Sequence, residues 1–485
     1  MQTVGLMAVR ALMVLVVLLG CRRAPEAPVV VQPPSLVGDG GPSVTPPAPD
    51  AGPPDAGPLD AGPDPHRIGG LGSGPFPADP VIVYGSAQGL LEAPISASVD
   101  EGENLWVVTQ AALYLLQPGA KVFRRYTEHD GLHYGPGFTE PPHITLVEGG
   151  AKGECFVGYS ARDTNAAMFK DAHRSTDPWA HMGKMDQVLL QSDGSLKVNR
   201  YDLRNTNNGS YYETRTIMSM VYDHFQHPGN LYVGSNHGVT RIIPAKYYPP
   251  PLPLTDDTHD ERHWYADHVH PWVCIGGPCT PDRVPTFGDW FGLTLAADGR
   301  LWMGGLTTAG AINYREKLED WILSFGSFNP FSPAFEWPPI FVPPAMGDPV
   351  NIRGVAVTPN GVVWFVSGEV ESWRGRTYGI AAYDESCPKR KPACNMLTYF
   401  DPTALGATEY NILEVQALAD GRLVFGFPSS GLLVWEPGES KGRRLTQRDG
   451  LPGERIGRMS QDQMHDPPLL LVPTDGGLVI FRNVP

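Results

Sequence analysis

Apolar residues in this chain gather in short runs broken by Gly-containing turns, and from Val81 onward no stretch sustains a helical period. The runs 95–99, 293–297, 355–358 and 415–418 each lead into a tight turn. Three of those turns read alike: Ala297-Asp298-Gly299-Arg300, Pro359-Asn360-Gly361-Val362 and Ala419-Asp420-Gly421-Arg422. Asp-Gly and Asn-Gly supply the positive φ angles of a tight hairpin, and β-branched or aromatic residues flank them. A second run follows, as in Asn104-Leu105-Trp106-Val107-Val108, Asn230-Leu231-Tyr232-Val233-Gly234 and Arg300-Leu301-Trp302-Met303-Gly304. Gly361-Val362-Val363-Trp364-Phe365 and Arg422-Leu423-Val424-Phe425-Gly426 belong to the same set. Another Gly turn (Asn236-His237-Gly238, Ser429-Ser430-Gly431) and a third run complete the unit. The pattern predicts an all-β chain of repeated strand–hairpin–strand–hairpin–strand units.

A second signal repeats with these units. Tyr84-Gly85-Ser86-Ala87-Gln88-Gly89-Leu90 is echoed by Tyr126-Thr127-Glu128-His129-Asp130-Gly131-Leu132, and again by Leu445-Thr446-Gln447-Arg448-Asp449-Gly450-Leu451. The first two copies stand about 42 residues apart, the period of four-stranded propeller blades. One such sheet cannot bury both faces alone, so the copies must stack into a ring. With weaker copies at Glu154-Cys155-Phe156-Val157-Gly158 and Leu469-Leu470-Leu471-Val472-Pro473, the count is seven blades, centred on Trp106, Phe156, Tyr232, Trp302, Trp364, Val424 and Leu471. The divergent copies leave six or eight open. The last blade lacks an outer strand, and Val81–Tyr84 has the composition to fill that place, closing the ring and removing two sheet edges.

These motifs resemble the two-component-regulator propeller repeat of sensor ectodomains and of stand-alone exported proteins. The blades centred on Trp106, Trp302, Val424 and Leu471 carry the resemblance best. It implies a seven-bladed propeller and specifies no ligand. The sensor kinases continue into a membrane span and a kinase module; here the sequence is expected to end with the last blade at Pro485.

Ahead of the propeller, expected over 81–485, the chain divides twice. Residues 1–20 hold one Arg and an unbroken apolar run at 11–20, too short to span a bilayer comfortably. Leu18-Leu19-Gly20-Cys21 reads as a lipobox, which makes 1–20 a lipoprotein signal peptide and Cys21 the acylated residue. Arg22 rather than Asp follows it, so the expected place is the outer membrane of a Gram-negative cell, on its periplasmic face or its surface. Residues 21–80 are dominated by Pro, Ala, Gly and Asp, with Pro49-Asp50-Ala51-Gly52-Pro53 repeated directly after itself. Such composition buries too little apolar surface to fold, so this segment is expected to be a disordered tether.

Charge and cysteine usage narrow the partners. The 485 residues carry a formal net charge of −15, which argues against nucleic acid and anionic lipid surfaces. With Cys21 assigned to lipid, five of the six cysteines remain, and Cys274/Cys279 and Cys387/Cys394 form two close pairs. In an oxidising compartment they are read as disulfides pinning loops, and Cys155, inside an apolar run, as a buried free thiol.

One segment is suited to chemistry. Between Asp256 and Trp272 lie four of the 14 histidines, His259, His263, His268 and His270, beside five carboxylates that include Asp267. Spacings of four and two place each His pair on one side of a helical turn or of a strand, a geometry for neutral-imidazole metal ligation. A solvated, Trp-anchored loop accounts for the same residues, and no His-Glu-x-x-His spacing is present. The expectation is therefore a lipid-anchored module binding a protein or polysaccharide, without catalytic residues and without a cofactor. The alternatives are a metal-dependent lyase or hydrolase, like streptogramin-lyase or gluconolactonase propellers, with a divalent metal in the His-rich loop, and an accessory sensor for a separate two-component kinase. Loops at one end of a propeller converge on its channel, so function is expected there.

Overall fold

The computed structural model describes residues 76–77, 79–132, 144–160, 184–202, 216–225, 229–235, 238–246, 267–269, 290–305, 309–313, 326–328, 351–368, 379–384, 386, 397–462 and 464–485. They form seven four-stranded antiparallel sheets. Blades 1 to 6, numbered in chain order, each use four consecutive strands. Blade 7 takes three strands from the C-terminal end, and Val81–Tyr84 pairs antiparallel with Gly477–Phe481 as its fourth.

The innermost strands are Ser96–Val99, Ile144–Gly149, Ile217–Tyr222, Trp290–Leu295, Asn351–Val357, Glu414–Ala417 and Ser460–Asp462. From blade 1 to blade 6 each lies against its neighbour in the next blade, Gln416 and Gln461 link blades 6 and 7, and a parallel bridge from Ser96 to Arg458 joins the first blade to the last. The second strands carry Trp106, Phe156, Tyr232, Trp302, Trp364, Val424 and Leu471, the residues on which the sequence centres the repeat.

Every blade interface holds its own hydrophobic cluster, which explains why the middle strands read as unbroken apolar runs. Alternate residues of one strand serve opposite interfaces: Leu105 and Val107 pack toward blade 7, while Trp106 and Val108 pack toward blade 2 beside Cys155 and Tyr159. Blades 5 and 6 meet through an aromatic group in which Trp364 stands edge-on to Trp435 at 5.6 Å. Cys155 is a fully buried free thiol, and burial pushes its pKa well up.

The Gly-Leu phrase acquires a physical meaning here. It follows an outermost strand as a single 3₁₀ turn (Ser86–Gln88, Glu128–Asp130, Gln447–Asp449). Asp130 and Asp449 accept from the backbone N–H of Thr127 and Thr446, at 2.8 and 3.0 Å. Gly131 and Gly450 take φ of 103° and 101°, and Leu132 and Leu451 then turn inward and are buried. The phrase fastens the outside of one blade before the chain returns to the centre.

The inner hairpins share a second device. Asp100 accepts hydrogen bonds from Gly102, Asn104 and the Trp106 indole, and from the Gly153 N–H of blade 2. Thr358 is the equivalent acceptor for the Trp364 indole at 3.3 Å. In blade 4 the equivalent position is Ala296, and the buried Trp302 indole nitrogen has no partner among the described residues.

Candidate functional site: the central channel

Four innermost strands carry the same irregularity. The register of blades 2 to 5 slips by one residue at Thr145, Met218, Phe291 and Arg353, each near the start of its strand. A bulge re-aims the extra residue's side chain and twists the strand locally. These bulged ends are the ends at which the chain arrives from 133–143, 203–215, 270–289 and 329–350. Local geometry and chain connectivity thus mark one end of the ring.

Below the bulges the channel encloses about 190 Å³, lined among others by Glu148, Phe291, Glu414, Gln416, Arg458 and Gln461. Its wall is stitched blade to blade by side chains. Ser98 accepts from the Gly149 N–H at 2.9 Å, and Ser219 donates to the Trp290 carbonyl at 2.8 Å. Gln416 and Gln461 donate reciprocally, to the Met459 and Ala417 carbonyls. Ser460 donates to the Ala97 carbonyl at 2.6 Å, linking the last blade to the first.

Charge is concentrated at one level. Arg458, arriving at blade 7, places Nε 3.3 Å from Glu414 of blade 6 and donates from Nη2 to the Phe291 carbonyl of blade 4 at 2.8 Å. Arg353 of blade 5 lays its guanidinium 4.3 Å from the centre of the Phe291 ring. Its Nε is buried without a hydrogen-bond partner among the described residues. Four consecutive blades therefore contribute Phe291, Arg353, Glu414 and Arg458 to one ion–aromatic group. Across the channel, Glu148 accepts from the Tyr222 N–H at 3.1 Å.

Burial dominates the electrostatics of both carboxyls. Glu414 is pushed up to about 7 by burial, against the pull of Arg458 and then Arg353. Glu148 is also pushed up to about 7 by burial, which outweighs the Tyr222 N–H, His224, Arg458 and the Ser98 hydroxyl. Near neutrality each group is thus divided between acid and carboxylate. Of the two guanidiniums, that of Arg458 is part of the cavity lining.

Two further polar groups lie outside this level. His224 sits 3.4 Å from Glu101 and edge-on to Tyr222 at 4.8 Å, near the join of blades 1, 2 and 3. His465 is hydrogen-bonded through Nδ1 to Asp462, an oriented imidazole, but it is buried and its ring packs against Phe76.

Of the residues expected from sequence, Asp267 and His268 lie on the outermost strand of blade 3, opposite Arg241 and Thr240, three strands away from the channel wall. His259, His263 and His270 lie outside the described residues, as do Cys21, Cys274, Cys279, Cys387 and Cys394. Among the described residues no group of three or more His, Cys, Asp or Glu is arranged to hold a metal ion. Arg353, Glu414, Arg458 and Glu148 are not among the residues the sequence singles out. For Arg353, Glu414 and Glu148 the signal is a lone charge on an apolar inner strand, as in Ile352-Arg353-Gly354-Val355; Arg458 lies ahead of its inner strand and carries no such signal.

No family model and no curated protein matches the sequence. Similar solved structures include the extracellular domain of a putative hybrid two-component system from B. thetaiotaomicron, at 14% identity and a TM-score of 0.48 over 84% of this chain. This chain spans 42% of that one. A YCF48 protein bound to a D1 peptide is similar at 10% identity and TM-score 0.46, over 84% of this chain and 99% of that one. A streptogramin B lyase is similar at 9% and 0.43, over 82% and 96%. These likenesses concern the fold alone; the strand pairing itself makes the chain a seven-bladed propeller.

Proposed function

We propose that this protein is a lipid-anchored binding or scaffolding module of the cell envelope, whose propeller offers one end of the ring to a protein or surface-polymer partner. The observation that carries this reading is the side-chain bracing of the channel. Arg458 ties blade 7 to Phe291 of blade 4 and to Glu414 of blade 6, and serine and glutamine side chains tie adjacent blades. A frame held from within presents loop residues at low conformational cost, which suits recognition. The lipobox at Leu18-Leu19-Gly20-Cys21 supports attachment through Cys21, and the Pro-rich stretch supports a spacer between membrane and ring.

Fractionation of the full-length protein and its Cys21→Ser variant tests the anchor. Wild type is expected in the outer membrane and the variant in the soluble fraction; equal partitioning would overturn anchoring. Reciprocal cross-linking in intact cells tests binding. One species recovered from both sides is expected, and it persists in His263→Ala/His268→Ala. Its loss in that variant with the fold retained would transfer function to the His-rich segment, and its absence in wild type would overturn the binding reading.

A further inference from the structure

We propose that the channel mouth on the bulged side binds a small organic carboxylate, held by the guanidiniums of Arg353 and Arg458 where they meet Phe291. The proposal is independent of the envelope partner and goes beyond it.

Arg353 is the extra residue of a strand bulge, its guanidinium lies on the Phe291 ring, and its Nε, packed toward Gly368, has no acceptor among the described residues, so recognition falls to the Nη end of the fork. A buried cationic donor left unpaired is costly, whereas stacking on an aromatic face leaves the edge of the planar fork available for bidentate recognition. Arg458 supplies the second cation. Of its five N–H donors, the described contacts use one toward Glu414 and one toward the Phe291 carbonyl. Its side chain keeps 24% of its surface exposed, so a small solute reaches it.

At this level two guanidiniums share one carboxyl, Glu414, which is divided between acid and carboxylate near neutrality. Glu148 is the other carboxyl that Arg458 feels, held by the Tyr222 N–H and the Ser98 hydroxyl and likewise divided between acid and carboxylate. Near neutrality the two carboxyls therefore offset only part of the charge of the two guanidiniums, and one monoanion cancels the rest. A phosphate dianion would face Glu148 and Glu414 in the same cavity, whereas a carboxylate is singly charged and planar, matching the fork. The adjoining 190 Å³ is below the roughly 300–1,000 Å³ of pockets for drug-sized ligands, so the ligand has few heavy atoms.

The test uses full-length protein in detergent at pH 6.5 and constant ionic strength, with ¹³C-acetate as probe. Line broadening of acetate should saturate and should not be displaced by equimolar chloride. Arg353→Gln should weaken binding about tenfold or more, and Arg353→Lys should recover part of it. Acetate that stays sharp with wild type, or that chloride displaces equally well, would overturn the proposal, as would unaltered binding by a folded Arg353→Gln. Tighter binding of inorganic phosphate than of acetate would overturn the carboxylate assignment. Should Arg353→Gln fail to fold, the wild-type titration alone decides.

Discussion

Arg458 reaches across the ring to the main-chain carbonyl of Phe291, 2.8 Å away, so that a residue at the seventh blade is hydrogen-bonded to the fourth. The same guanidinium meets Glu414 at 3.3 Å. Losing both contacts in Arg458→Met should destabilise the protein by about 1–3 kcal/mol, since each is a bond to a charged group and the site is part-exposed. Glu414 would then keep only Arg353 as counter-charge and should titrate higher still. Adding Glu414→Gln should return part of the loss, because the neutral amide no longer needs a cation. Urea unfolding of the single and double variants measures this, and a double variant as weak as the two single losses combined would refute the coupling.

Stability should fall as pH rises through neutrality. Glu414 and Glu148 sit near 7 in the folded protein, above the roughly 4.3 of an unfolded glutamate. Between those values the folded state binds more protons than the unfolded state. Their contribution is complete below the unfolded value and is lost as pH climbs through 7. Asp100, raised to about 6 by burial against its hydrogen bonds, acts in the same direction. Melting temperatures from pH 5 to 8 should decline in wild type and flatten in Glu148→Gln/Glu414→Gln; identical slopes would show that these groups are not responsible.

The unanswered indole of blade 4 offers a gain. Trp106 and Trp364 donate to Asp100 and Thr358, while the position six residues before Trp302 is Ala296 and the indole nitrogen has no partner among the described residues. Ala296→Thr should add about 1 kcal/mol by supplying the missing acceptor, and Thr358→Ala should cost a similar amount. Thermal denaturation of both variants checks the pair. An Ala296→Thr protein less stable than wild type would mean that the site lacks room for the hydroxyl.

At the matching turn of blade 1 the left-handed residue is Glu103, with φ of 62°, where blades 4, 5 and 6 use Gly299, Gly361 and Gly421. Glu103→Gly should stabilise the fold by up to about 1 kcal/mol, since glycine adopts that conformation without a Cβ penalty. A melting temperature lowered by the substitution would contradict this.

The propeller was legible because two local devices recur in it: the Gly-Leu phrase, fixed by Asp130 and Asp449, and the hairpin that carries an aromatic on the second strand. Both are made by neighbours in sequence, and repetition makes such signals visible. The channel group was not legible. Phe291, Arg353, Glu414 and Arg458 come from four blades, and their encounter depends on ring geometry and on bulges that leave no fixed residue type at Thr145, Met218, Phe291 and Arg353. The His-rich segment is legible because its residues are adjacent in sequence; of these, Asp267 and His268 stand at the sheet's outer edge.

Val81 pairs with Phe481, and Tyr84 with Leu478. The earliest strand of the ring to be synthesised therefore waits for the last. Until the C-terminal hairpin emerges, the growing arc keeps two raw edges, and its first blade has no neighbour on one side. Contacts this distant in sequence slow folding and leave the intermediate open to pairing with other chains. The finished ring gains a clasp in exchange: neither terminus can be trimmed past this ladder without unfastening the circle, and damage at one end is felt at the other.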